Sequence, residues 1–169
     1  MKIGFEHVAE PYRSVLMALL DALLRTWGDK LVSLVLFGSI ARGDHRVDSD
    51  VDLLVIGKDL PKGRFARQEA FMKAEELIQT MIDELYERGI YIDFSPIILT
   101  VDEAKRFRPL YLDMVEDAVI LFDRGKFFQT VLEDLKRKLE ALGARRVRLG
   151  RRWYWVLKEP YKFGEVIEI

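Results

Sequence analysis

The chain contains no cysteine and no asparagine. Without cysteine there is no disulfide framework, no thiolate metal site and no cysteine nucleophile. Glutamine is scarce as well, confined to Gln68, Gln79 and Gln129. Depletion of these thermolabile residues beside abundant Glu, Lys and Arg is the composition of heat-adapted proteins, and it predicts a heat-adapted cytosolic protein. Histidine occurs only as His7 and His45, which gives a His-based metalloprotease or a Ser-His-Asp hydrolase thin support; His45 is expected to be solvated in a loop. No apolar run approaches the roughly 20 residues of a membrane helix. Val15 to Leu24 comes nearest, and Asp21 interrupts it. The opening Met-Lys-Ile-Gly-Phe-Glu lacks a signal-peptide apolar region, so no membrane partner is expected. Nor is there an excess of one charge: 27 basic and 28 acidic side chains leave a net charge of -1. A global basic field for nucleic acid is therefore absent, although a local patch is compatible with that balance.

What the sequence does have is a core. Its 169 residues are 50% hydrophobic and 33% charged, the size and composition of one globular domain. Apolar residues recur at helical spacing from about Pro11 to Trp27, with Gly28 placed as a C-cap. Leu31 to Phe37 and Val51 to Ile56 read as buried strands. Arg67 to Arg88 reads as one long helix, with a stripe from Phe71 to Leu85 and a stop at Gly89. Ile90 to Leu99 is a third strand, and Pro96 marks it as an edge or a strand end. Thr100 with Glu103 is a capping box that opens a helix. A short helix over Leu110 to Glu116, a strand over Ala118 to Phe122 and a helix over Gly125 to Leu142 follow. Strands alternating with helices predict an α/β or α+β sandwich with a small mixed sheet flanked by helices. Three segments are expected in one globular unit: an N-terminal helix over 1–30 packing on the core, a core over 31–123, and a C-terminal helix with a basic and aromatic hairpin over 124–169.

The chemistry concentrates between Leu36 and Ile56. Gly38-Ser39 follows a strand and precedes a short helical stretch. Gly38 lets the backbone approach a ligand without a Cβ. Ser39 reads as the N-cap, with Ile40, Ala41 and Arg42 as the first turn. Free amides there favour a phosphate, and Arg42 is in reach as a charge clamp. Asp50 and Asp52 open the next strand. Residues two apart on a strand share a face, so these two carboxylates would repel unless a cation sits between them. Mg²⁺ suits such a pair, because it takes one or two carboxylates and completes its shell with water and phosphate oxygens. Asp93, flanked by Ile92 and Phe94, is a third candidate: a carboxylate in an apolar strand is costly to bury unpaired. An EF-hand does not fit, since Asp48, Asp50 and Asp52 are followed by Leu53 where glycine is needed and by Asp59 where glutamate is needed. No Walker-type or dinucleotide-type glycine loop is present.

Taken together these residues resemble the nucleotidyltransferase superfamily that includes DNA polymerase β, and most closely its minimal prokaryotic branch. That branch is marked by Gly-Ser, ten residues and Asp-x-Asp; here Gly38-Ser39 is followed by Ile40 to Ser49 and then Asp50-Val51-Asp52. A later strand Asp completes the pattern, at Asp93. The resemblance spans roughly Leu31 to Phe122 and implies a polymerase β palm-like fold. It implies that Gly38 and Ser39 hold the β- and γ-phosphates of a nucleoside triphosphate, with ATP the expected one. Asp50 and Asp52 would bind two Mg²⁺ ions, and Asp93 would hold the ion that activates an acceptor hydroxyl on protein, RNA or a small molecule. Many stand-alone members resemble antitoxins that pair with a small helical HEPN-type ribonuclease toxin, some by attaching AMP to it. The alternative it implies is therefore an antitoxin-like module that neutralises its partner by binding.

The C-terminal part is basic and aromatic. Arg145, Arg146, Arg148, Arg151 and Arg152 precede Trp153-Tyr154-Trp155. Such a segment can bind RNA by phosphate contact and base stacking. The alternation in Arg146-Val147-Arg148-Leu149 predicts instead a strand pair with one solvated basic face and one buried aromatic face.

Overall fold

The computed structural model describes residues 1–169. Seven strands are present: β1 (Lys2–Ile3), β2 (Leu31–Leu36), β3 (Val51–Gly57), β4 (Phe94–Thr100), β5 (Val119–Asp123), β6 (Arg145–Leu149) and β7 (Arg152–Val156). The helices are α1 (Tyr12–Trp27), α2 (Gly38–Arg42), α3 (Arg64–Glu76), α4 (Gln79–Glu87), α5 (Val101–Ala104), α6 (Leu110–Asp117) and α7 (Phe127–Leu142). The first five strands form one mixed sheet in the order β1-β5-β2-β3-β4, and the last two form a separate hairpin. The architecture is α+β, as the alternation of elements predicts.

Central β2 and β3 are buried on both faces, and their alternation sends side chains to two cores. Val51, Leu53 and Val55 join α1, α3 and α4 on one side. Leu54 and Ile56 join α5, α6 and α7 on the other. This parity places Asp52 on the second face, at the open end of the strand. Strand β4 runs parallel to β3 at the sheet edge, which is where Pro96 is tolerated.

Local signals set several boundaries. Thr100 and Glu103 form the capping box of α5. Glu103 also accepts from Arg67 Nη1 at 2.7 Å and Nη2 at 3.2 Å, so the cap ties α3 to the end of β4. Asp123 accepts from buried Ser33 Oγ at 2.6 Å and from the amides of Phe128 and Gln129. One carboxylate thus joins β2 to the first turn of α7.

Two expectations need correction, and one strand is an addition. The long helix over Arg67 to Arg88 is two helices, broken at Leu77-Ile78, where Ile78 has φ -111° and ψ 8°. No glycine or proline causes the break; it lets Ile78 and Leu85 reach the core while Leu77 stays exposed. The third strand begins at Phe94 rather than Ile90, because Tyr91 to Asp93 lie outside the ladder. Strand β1 has no periodic signal at two residues, yet it pairs in parallel with β5.

Candidate active site

Two turns meet at the open end of β3. Strand β2 ends at Leu36, and Gly38 starts α2 with φ +75°. A Cβ at Gly38 would collide with Asp52 Oδ2 and lie 3.0 Å from Asp52 Cγ. Phe37 donates its amide to the carbonyl of Asp52 at 3.0 Å. The glycine is therefore required on two counts: its backbone conformation and the side chain across from it. Ser39 is inside α2, not its cap. Phe37 occupies the N-cap position, with no side-chain capping bond, so the Ser39 hydroxyl remains available at the surface of the turn. Arg42 closes the same turn and donates from Nε to both carboxylate oxygens of Asp44 at 3.2 Å.

Asp50 is exposed and Asp52 is half-buried. Burial pushes the Asp52 carboxyl above its ordinary value, the negative charge of Asp50 adds to that, and Arg42 opposes it. Val51 donates its amide to the carbonyl of Asp93 at 2.7 Å, which sets Asp93 beside the start of β3. Its side chain is exposed rather than buried, so the cost of burial is not what constrains it. Its charge acts on Glu75 of α3, whose carboxyl is raised by burial first and by Asp93 second. The backbone thus brings Asp50, Asp52 and Asp93 to one end of the sheet. Their side chains do not gather into a three-ligand group. The donor set nonetheless fits a divalent cation. Carboxylate oxygens are hard ligands, and a cation would offset the charge cost that Asp52 bears beside Asp50.

His45 is not solvated as expected. It stands edge-on to the Tyr12 ring at 5.0 Å, with Nδ1 buried and unpartnered.

The C-terminal hairpin borders this site, a proximity that spacing in the sequence does not reveal. Its register pairs Arg146 with Trp155 and Arg148 with Trp153, and partners in register share a face. Arginines and tryptophans therefore lie on the same face, and the expectation of separate basic and aromatic faces is wrong. That face turns toward the body, while Leu149 and Tyr154 are exposed. Asp113 Oδ1 accepts from Trp153 Nε1 at 2.8 Å and from Trp155 Nε1 at 3.0 Å. Arg146 pairs with Asp117 at 2.5 Å. Two guanidiniums lie over the Trp153 ring, Arg42 at 4.7 Å and Arg146 at 5.3 Å from its centroid.

Comparison with known proteins places the chain in a family. The model of the nucleotidyltransferase domain family matches residues 16–121. In Methanocaldococcus jannaschii, "Putative protein adenylyltransferase MJ1305" is 36% identical over 125 residues, covering 73% of this chain and 80% of that protein. MJ0141 of the same organism, with the same description, is 54% identical over 89 residues, or 53% of this chain and 76% of its own. Among solved structures, a toxin-antitoxin with AMP-PNP aligns at 19% identity and a TM-score of 0.43, covering 74% of this chain and 90% of that one. With the family model spanning both the Gly38-Ser39 turn and the Asp50-Asp52 pair, this chain belongs to the nucleotidyltransferase domain family and is a minimal nucleotidyltransferase enzyme.

Proposed function

We propose that this enzyme transfers AMP from ATP to a hydroxyl on a protein acceptor. The close approach of Gly38 to Asp52 carries the reading, because it puts a side-chain-free backbone turn against a carboxylate. A triphosphate lying along that turn would have its phosphates beside Gly38 and Ser39 and its reacting end at Asp50 and Asp52. The relatives' description as protein adenylyltransferases supports both AMP and a protein acceptor.

Asp50 and Asp52 would hold two Mg²⁺ ions, with Asp93 serving the ion nearest the acceptor. When bound, such ions stabilise the attacking and leaving oxygens of an in-line displacement. The chain itself supplies position: Asp50 and Asp52 stand at the start of β3, and Gly38 would admit the phosphates. Positioning and charge neutralisation are the main needs of this chemistry, so no histidine base is required.

The test is incubation with α-labelled ATP, Mg²⁺ and candidate protein acceptors, followed by mass spectrometry for added AMP. Transfer that is lost in Asp50→Ala and Asp52→Ala supports the reading. Transfer that survives both substitutions overturns it.

One observation favours a second reading, an antitoxin-like module that neutralises a helical partner by binding. Tyr161, Phe163 and Val166 are exposed along the chain after the hairpin, Phe163 completely, which leaves large apolar side chains available to a partner. Neutralisation of a partner that persists in both Asp variants would establish it.

A further inference from the structure

Beside Ser39 lies a cleft of about 510 Å³ whose far wall is the C-terminal hairpin. It is lined by Ser39, Arg42, Arg46, Arg148, Arg151 and Trp153. Four guanidiniums thus share the lining with a single carboxylate, Asp44, which is engaged by Arg42. Of the other hairpin arginines, Arg145 is paired with Glu159 and Arg146 with Asp117, while Arg152 lies outside the cleft lining. Arg148 donates only to the carbonyl of Gly150, at 3.1 Å, and neither Arg46 nor Arg151 has an acidic partner within an ion-pair distance. Like charges held together without counterions repel, unless an anion is what they receive.

We propose that the hairpin is a built part of the nucleotide site, in which Arg148 and Arg151 grip the terminal phosphates of a nucleoside triphosphate. This deepens the AMP-transfer reading and rests on it. Three observations select the triphosphate end over the acceptor. The cleft opens directly beside Ser39. Asp93, assigned to the acceptor, lies on the β4 side of β3, whereas β2, which leads into α2, lies on the other side. The hairpin docks on α6 through Asp113 and Asp117, on the same side as α2. Guanidinium groups suit phosphate because their paired N–H groups match its oxygens. The stack of Arg42 on Trp153 holds the cleft walls together, so the hairpin contributes arginines from a fixed platform.

The consequence is selectivity for the number of phosphates. The full chain is titrated, with Mg²⁺, with an ATP analogue non-cleavable between the α- and β-phosphates, and separately with AMP. Doubly substituted Arg148→Ala, Arg151→Ala is expected to weaken the triphosphate analogue at least about tenfold, as loss of charge-assisted hydrogen bonds implies. AMP binding is expected to be unchanged, and the melting temperature is expected not to fall, since both side chains are exposed and their mutual repulsion is removed. Restoring charge with Arg148→Lys, Arg151→Lys is expected to recover part of the loss. An unchanged triphosphate affinity, or an equal loss for AMP, overturns the proposal. So does a variant that loses salt-sensitive binding of an oligoribonucleotide while keeping the triphosphate, which would assign the cleft to polynucleotide. If the unsubstituted chain transfers AMP but the arginine variant binds as before, this proposal fails alone. If the unsubstituted chain binds no triphosphate at all, the AMP-transfer reading fails with it.

Discussion

Gly38 and Asp52 are packed so closely that no side chain fits between them: a Cβ at Gly38 would overlap Asp52 Oδ2. Gly38→Ala must therefore both strain a backbone at φ +75° and displace the carboxylate. The strain costs about 1–3 kcal/mol. Displacement of a positioned group by an ångström can cost about 100-fold in rate. Transfer assays beside thermal melts are expected to show a modest stability loss and a far larger loss of activity. Equal activity in the alanine variant would separate this contact from catalysis.

Asp52→Asn is expected to divide stability from function. The Asp52 carboxyl is raised in the fold, by burial first and then by Asp50. The folded chain therefore holds this proton more tightly than the unfolded one, and stability falls as pH rises through that range. At neutral pH the ionised side chain is a liability, so removing its charge should raise the melting temperature while transfer disappears. Mg²⁺ should raise the melting temperature of the unsubstituted chain through linkage and have a smaller effect on this variant. Melting curves with and without Mg²⁺ decide both points.

Glu103 makes an acid-side prediction of opposite sign. Hydrogen bonds from Arg67 and Thr100 lower its carboxyl from 4.5 to about 2. Its contribution is thus fully present above about pH 4.5 and is lost as pH falls toward 2. The side chain is 37% exposed, so solvent screening reduces the expected contribution to about 1 kcal/mol. Denaturant titrations of Glu103→Gln between pH 7 and pH 2 should converge on the unsubstituted protein at the acid end.

Trp153 couples the hairpin to the body by a hydrogen bond to Asp113 and by stacking with Arg42. Trp153→Ala removes both, with an expected loss of about 1–3 kcal/mol. Trp153→Phe keeps a ring under Arg42 and drops only the hydrogen bond, so it should lose less. Chemical denaturation gives the stabilities, and triphosphate titration should weaken in the same order.

Much of this molecule is governed by short-range rules and is legible without coordinates. The two-residue spacing keeps Asp50, just ahead of β3, close enough to Asp52 for its charge to act on that carboxyl. The Thr100–Glu103 pair opens α5 because cap and acceptor are three residues apart. The spacing from Gly38-Ser39 to Asp50-Val51-Asp52 brings the turn to the strand end, since antiparallel β2 and β3 are joined by only that segment.

Other features depend on partners distant in the chain. The break at Leu77-Ile78 carries no helix-breaking residue; burial of Ile78 against α1 and the sheet decides it. Asp93 is exposed because Phe94, not Asp93, faces the core. Periodicity places the hairpin arginines and tryptophans on faces but cannot pair them across strands. Their common inward face is chosen by Asp113, whose carboxylate lies 40 and 42 residues from the two indoles it accepts. Local preference acts through neighbouring backbone atoms, whereas the choice of which face to bury is made by contacts that exist only once the whole chain has closed.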